Sequence, residues 1–381
     1  MTDKDVIPSS THPPLPPTPE DEQFARLRLL RSRRVGISTY KRLLAEHGTA
    51  QNALAALPQV ARAAGVSDYR ICPEGVIAAE LKQARRCGAT LIELGEPDYP
   101  AALAELTDAP PFLWVLGDTA MLSRPMIAMV GARNASSLGT RMARGLARDL
   151  GVAGYTIVSG LARGIDAAAH EASLKTGTLA VCAGGVDTIY PTENTKLAQD
   201  IAKLGARISE QPMGQHPTAR HFPRRNRIIS GLCRATIVVE AAARSGSLIT
   251  ARDALDQGRE VLAVPGHPFD ARAAGGNMLL RDGATLIRKA EDVIDALALP
   301  APKRPPKPQP ERQPSLPLRG LKQTAALHSQ ILSRLGPSPL AEDQLIRDLQ
   351  ASAAEVTPAL VDLELDGQIA RRPGGLLCKV V

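Results

Sequence analysis

"MIAMVGARNASSLGTRMARGLARDLGVAGYTIVSG", residues 126–160, sets an apolar run against a glycine, then a helical pattern, then a second apolar run. Strand, helix, strand is a βαβ unit, and such a unit joins two parallel strands. Reading outward, the same alternation recurs through "TLAVCAG" (178–184), "ARISE" (206–210), "TIVVEA" (236–241) and "EVLAVPG" (260–266), with "GIDAAAHEASLKTG" as another helix. The pattern predicts an α/β fold whose core is a Rossmann-like parallel sheet with helices on both faces. Ligands of such sheets bind beyond the carboxyl ends of the strands.

Composition places boundaries around this core. Residues 1–20 hold six prolines and are expected to form a disordered tail. Residues 300–317 hold eight more, which makes 299–319 a stiff linker. The domains expected are an N-terminal helical domain at 21–108, the core at 109–298 and a C-terminal module at 320–381. In the first, Leu27, Leu30 and Val35, then Tyr40, Leu43 and Leu44, mark two helices broken at Gly36. Arg31, Arg33 and Arg34 flank that break, either as a phosphate contact or as a solvated basic face.

Charge narrows the partners. The 46 basic residues exceed the 39 acidic ones by seven, and 35 of them are Arg. Arg binds phosphate bidentately, although a GC-rich genome gives the same bias. Five scattered cysteines form no CxxC pair and no Cys/His set with zinc spacing, so neither a disulfide framework nor a metal site is expected. No signal-like or membrane-spanning apolar stretch occurs, and a cytoplasmic protein that makes no membrane contact is expected.

The strand ends carry the chemistry. After the first strand, Gly131 and a helix start capped by Ser136 or Ser137 offer amides to an anion. Arg133 stands where a dinucleotide fingerprint needs its second glycine, which disfavours a nicotinamide cofactor; no cofactor is expected. In "SGLARGIDAAAH", Asp166 and His170 read better as a helix-start carboxylate and a packed histidine than as catalysts. Tyr190, in "GGVDTIYPTEN", either stacks on a base or covers the core. "HFPRRNRIIS" (221–230) then sets Phe222 among Arg224, Arg225, Asn226 and Arg227, with Arg220 just before. No Asp or Glu occurs from Gln211 to Val239. A basic groove with an aromatic platform suits single-stranded nucleic acid. Ser245, Gly246 and Ser247 form a second amide nest. There is no GxSxG, GxxxxGK[ST] or HExxH, and Glu240 is the one acid that stands out at a strand end. A binding protein is favoured over an enzyme.

In order from about 110 to 290, "VGARNAS", "SGLARGIDAAAH", "GGVDTIYPTEN", "SEQPMG", "HFPRRNRIISGL", "VVEAAARSGSLITA" and "VPGHPFD…GGNMLLRDGA" resemble the DprA (DNA processing protein A) family, also called Smf. The flanks resemble its sterile-alpha-motif or helix-hairpin-helix-like N-terminal domain and its winged-helix-like C-terminal domain. The resemblance implies a non-enzymatic, homodimeric single-stranded DNA-binding protein that protects incoming DNA and loads the RecA recombinase during natural transformation. It implies dimerisation through the Rossmann-like core, a phosphate contact at Arg133, a DNA-binding basic patch at Arg220, Arg225 and Arg227 with Phe222 as a surface for a base, and an anion nest at Ser245–Ser247. The family often has lysine where Arg220 or Thr192 stands; Thr192 lacks the charge, which puts the role of "YPTEN" in doubt. On this reading three arginines of 221–230 neutralise successive phosphates; the competing reading pairs Arg227 and its neighbours with Glu210 and Glu240. A rival class is a Rossmann-like nucleotide-processing hydrolase related to lysine-decarboxylase-like phosphoribohydrolases. That class carries PGGxGTxxE, with its glutamate after the nest, whereas Glu240 precedes it here.

The C-terminal pattern is three helices, near 324–335, 341–349 and 353–366, then a hairpin turning at Pro373-Gly374-Gly375. This is a winged-helix order. No Lys or Arg falls between Asp348 and Ala370, while five acids do. That surface is expected to meet protein and not duplex DNA.

Overall fold

The structure, a computed structural model, describes residues 19–298, 321–336, 339–372 and 376–380. Positions 1–18 of the expected tail, the expected linker at 299–319 and the Pro373–Gly375 turn lie outside them. The chain divides into two compact units, Met1–Ala301 and Pro302–Val381. Pro19 and Glu20, placed in the tail from sequence, instead open the first helix.

The first unit begins with four helices, α1 (Pro19–Arg31), α2 (Ile37–His47), α3 (Ala50–Ala63) and α4 (Glu74–Cys87). The expected break at Gly36 separates α1 from α2. Leu27, Leu29, Leu43, Leu57 and Ile77 make the core of this bundle. Next come β1 (Thr90–Glu93), the short α5 (Ala101–Ala104) and β2 (Phe112–Gly117). Phe112 and Trp114 of β2 face the bundle, while Leu113 and Val115 face the sheet's own core. Trp114 Nε1 donates to Glu80 of α4 at 2.8 Å, and Glu80 also pairs with Arg31 of α1 at 2.8 Å. The expected boundary at 108 therefore falls too late, because β1 already belongs to the sheet.

The core continues as β3 (Met126–Val130), α6 (Ser137–Val152), β4 (Thr156–Ser159), α7 (Ile165–Ser173), β5 (Thr178–Val181), α8 (Thr195–Leu204) and β6 (Ala206–Ser209). Then follow α9 (His221–Gly231), β7 (Ala235–Val238), α10 (Ser247–Asp256), β8 (Glu260–Ala263), α11 (Ala274–Arg281), β9 (Thr285–Leu286) and α12 (Ala290–Ala298). All six strands read from the sequence are present. They lie in one nine-stranded sheet of order β1-β2-β6-β5-β4-β3-β7-β8-β9. The strands from β6 to β9 are parallel, and β1 and β2 add an antiparallel edge. Both faces are buried, as a doubly wound sheet requires. Along β3, Ala128 and Val130 pack with α9 and α10, while Ile127 and Met129 pack with α6 and α7.

From β3 the chain winds outward through β4, β5 and β6, then returns to place β7 on the other side of β3. The order therefore reverses between β3 and β7, and the crevice beyond their carboxyl ends is where such sheets bind ligands.

The second unit holds α13 (Leu321–Arg334), β10 (Leu340–Ala341), α14 (Glu342–Leu349), α15 (Ala353–Leu365), β11 (Ile369–Arg372) and β12 (Leu376–Lys379). Three helices and a three-stranded sheet of order β10-β12-β11 enclose a core around Leu345, Leu360 and Leu377. This is the winged-helix order expected. Among the described residues, no helix is long and apolar enough to cross a membrane.

Candidate nucleic-acid interface

The loops that follow β3, β4, β5 and β7 converge with α9 around the crevice. Just past β3, position 131 takes glycine because a side chain there would collide with Ile165 of α7 and approach the Glu240 carbonyl. Arg133 follows on the exposed part of this turn. Its guanidinium carbon lies 5.3 Å from the centroid of the Phe222 ring, a cation–π distance. The Tyr190 ring also packs against Phe222, centroids 5.6 Å apart and tilted by 58°. Tyr190 is half exposed, so it borders the groove and does not close the core.

Phe222 and Arg133 separate two concavities. The larger, about 640 Å³, is lined by Arg133, Phe222, Asn226, Arg244, Ser245 and Arg272 among others. The smaller, about 240 Å³, runs past Arg163, Gly184, Tyr190 and Thr192. Arg220 and Arg224 are exposed at the start of α9. Burial, helped by these two cations, lowers the pKa of His221, so its imidazole is neutral near pH 7. Asn226 Nδ2 reaches the Gly246 carbonyl at 3.5 Å, tying α9 to the Ser245–Ser247 nest. Within the nest the Ser245 and Ser247 hydroxyls share a 2.6 Å hydrogen bond.

Two of the arginines expected side by side on phosphates point elsewhere. Arg225 turns inward: its Nη1 donates to the Gly160 carbonyl at 2.5 Å and to Val181 at 2.7 Å. The loss of hydration lowers its pKa and raises that of Asp166, its counter-charge; each partly offsets the other. Arg227 pairs with Glu210 at 2.5 Å and with Asp108 at 3.3 Å, though not with Glu240. Helical periodicity explains this. Positions 225 and 228 lie three apart on one face of α9, and the buried face of α9 includes both. The basic run is thus split among groove, core and ion pair.

Ser136 is also withdrawn from the groove's ligands. It caps α6, its Oγ accepting from the Gly139 N–H at 2.9 Å, but its own N–H donates to Glu240 Oε2 at 2.9 Å and its hydroxyl to Glu240 Oε1. The two other doubtful residues resolve toward packing. Asp166 accepts the Gly160 and Ala162 amides at 3.1 and 3.3 Å. His170 is fully buried against Thr178. The "YPTEN" loop braces the turn after β4, where Asn194 Nδ2 donates to the Leu161 and Ala162 carbonyls at 2.9 and 3.2 Å. Arg244 and Arg272 were missed from sequence. Arg244 was signalled by its place beside the nest, whereas Arg272 comes from a distant loop and had no local signal.

Residues 90–298 match the family described as DNA recombination-mediator protein A. Residues 20–83 match the DprA-like N-terminal HHH domain, and 300–375 the DprA winged helix domain. The Escherichia coli protein Smf is 38% identical over 293 residues, covering 75% of this chain and 76% of that protein. The Bacillus subtilis DNA processing protein DprA is 44% identical over 216 residues, 56% of this chain and 73% of that one. The X-ray structure of Streptococcus pneumoniae DprA, at 32% identity, superposes with a TM-score of 0.61 over 71% of this chain and 97% of its own. Helicobacter pylori DNA processing protein A, described in a single-stranded DNA binding mode, gives 0.51 at 32% identity, over 55% and 95%. Three family matches in register with the three parts of the fold make this chain a member of the DprA (Smf) family of DNA recombination mediators.

Proposed function

We propose that this protein binds single-stranded DNA along the groove at the β3/β7 crevice. The observation that carries the reading is the cluster of Tyr190, Phe222 and Arg133 in a basic groove at the sheet's reversal point. Bases find a stacking surface on Phe222 and Tyr190, and phosphates find Arg133, Arg220, Arg224, Arg244 and the amides of Ser245–Ser247. Side chains that read base edges in pairs are scarce, so recognition is insensitive to sequence. In this reading the protein coats incoming strands in the cytoplasm as a homodimer formed through its core, and hands them to the RecA recombinase during natural transformation. The family relationship supports these last steps.

No catalytic step accompanies binding: Glu240, the acid expected of a nucleotide hydrolase, is held by Ser136. Binding of labelled oligothymidine against salt tests the proposal, since neutralising Z phosphates gives a log–log slope of about −0.7Z. Arg133→Ala is expected to weaken binding to all sequences alike and to flatten the slope by roughly one unit. Phe222→Ala is expected to weaken binding with the slope unchanged. Loss confined to particular base sequences, or equal binding to duplex, would refute the assignment; so would turnover of nucleoside monophosphates.

A further inference from the structure

In a Rossmann-like sheet the helix after the first strand of the crevice points its free amides at a bound phosphate. Here that helix is α6, and its seat is filled. Glu240, just past the end of β7, places one carboxylate oxygen on the Ser136 N–H at 2.9 Å and the other on the Ser136 hydroxyl. Gly139, in the first turn of α6, has no room for a β-carbon because the carboxylate lies against it. The first turn of α6 contains no acid of its own. Glu240 also touches the turn at its other end, since its carbonyl lies close beside Gly131.

We infer that Glu240 is an internal stand-in for phosphate: a positioning residue that closes the α6 seat to free phosphates and nucleotides and holds the 131–136 turn so that Arg133 stands over Phe222. Contacts at both ends fix the turn that carries Arg133, whose guanidinium rests against the Phe222 face. A carboxylate on a helix N-terminus is a charge-assisted contact, stronger than neutral hydrogen bonds. The strand's phosphates are consequently directed to Arg133 and the Ser245–Ser247 nest instead of to α6. A cavity of about 510 Å³ opens on Glu240, Ser136 and Gly139, so a small anion has a way in once the carboxylate is removed.

This inference rests on the single-strand reading for its DNA arm alone; its phosphate arm stands separately. The full chain is compared with Glu240→Ala and Glu240→Gln. Melting temperature is measured in inorganic phosphate against chloride at matched ionic strength, and oligothymidine affinity with and without phosphate. Any wild-type response to phosphate, from the groove arginines and the Ser245–Ser247 nest, is the baseline against which the variants are read. Glu240→Ala should bind oligothymidine about tenfold more weakly, the scale of losing a charge-assisted contact. Phosphate should then raise its melting temperature by more than it does for wild type and restore part of its DNA affinity, which loss of packing alone does not produce. Glu240→Gln, whose amide still bridges the Ser136 amide and hydroxyl, should keep most of the affinity and gain no phosphate response. It should also show faster amide exchange confined to residues 131–139. A Glu240→Ala protein with wild-type affinity, or one that phosphate neither stabilises more than wild type nor rescues, overturns the inference. Should Glu240→Ala not fold, unchanged exchange at 131–139 in Glu240→Gln overturns it instead. Failure of wild type to bind oligothymidine refutes the function and leaves the phosphate arm to decide the role of Glu240.

Discussion

His170 shows how a residue that looks catalytic becomes a pH-dependent part of the core. It is wholly buried, with Nδ1 2.7 Å from the Thr178 hydroxyl, which itself donates to the Ile157 carbonyl. Burial, reinforced by the Arg225 cation, lowers the His170 pKa from 6.5 to about 3. The unfolded chain takes up this proton near pH 6.5 and the folded one does not until far lower. His170 thus contributes stability that is complete above 6.5 and falls away as pH drops, by about 1.4 kcal/mol per unit for one group. Folding stability measured by denaturant between pH 7 and 5 should show this slope, with a smaller share from His221. Replacing His170 with Gln should flatten it whatever it does to absolute stability. An unchanged slope would rule the residue out.

At the scale of elements, α9 does two jobs that its sequence does not separate. Its outer positions present Phe222 to the groove and leave Arg224 exposed, while Arg225 reaches across to the ends of β4 and β5. Gly160 has no β-carbon because one would overlap the Arg225 guanidinium, so this contact fixes the path of the β4 turn. Removing one member of a buried charged network leaves the rest uncompensated and costs about 3–5 kcal/mol. Arg225→Ala should therefore lower stability by roughly that amount in denaturant titrations. Arg224→Ala, on the exposed side, should stay within about 0.5 kcal/mol of wild type and still weaken oligothymidine binding. If Arg225→Ala kept full stability and lost only affinity, Arg225 would be a phosphate contact after all. The strands read from sequence are those of the βαβ alternation; β1 and β2, which form the antiparallel edge, and the two-residue β9 fall outside it, and α3 and α4 were not separately expected.

For the molecule as a whole, the two units have different surfaces. The C-terminal unit has the winged-helix order, but its wing is electrically occupied: Arg371 pairs with Glu342 at 2.7 Å and with Glu364 at 3.6 Å. The helix that would enter a major groove, α15, carries no basic residue and exposes Glu364 and Asp362. Pressing it against phosphates would meet repulsion. We expect a chain ending at Leu299 to keep most single-strand affinity. The fragment 320–381, which has its own core, should bind duplex DNA negligibly at physiological salt. Duplex affinity tighter than about 1 μM, beyond the usual non-specific range, would assign this unit to DNA.

The alternation of strands and helices, the glycines that follow the strands and the presence of Phe222 among arginines were all legible in the chain before it was folded. Each is a short-range property: periodicity, turn conformation and composition act over a few residues and need no partner. What those arginines and acids touch depends on the folded chain. Arg227 meets Glu210 across 17 residues, Arg225 meets Gly160 across 65, and Ser136 meets Glu240 across 104. A charge becomes a phosphate contact, a buried tie or an ion pair according to which group the fold brings within about 3 Å, and that distance is set by packing between elements that the local sequence does not encode.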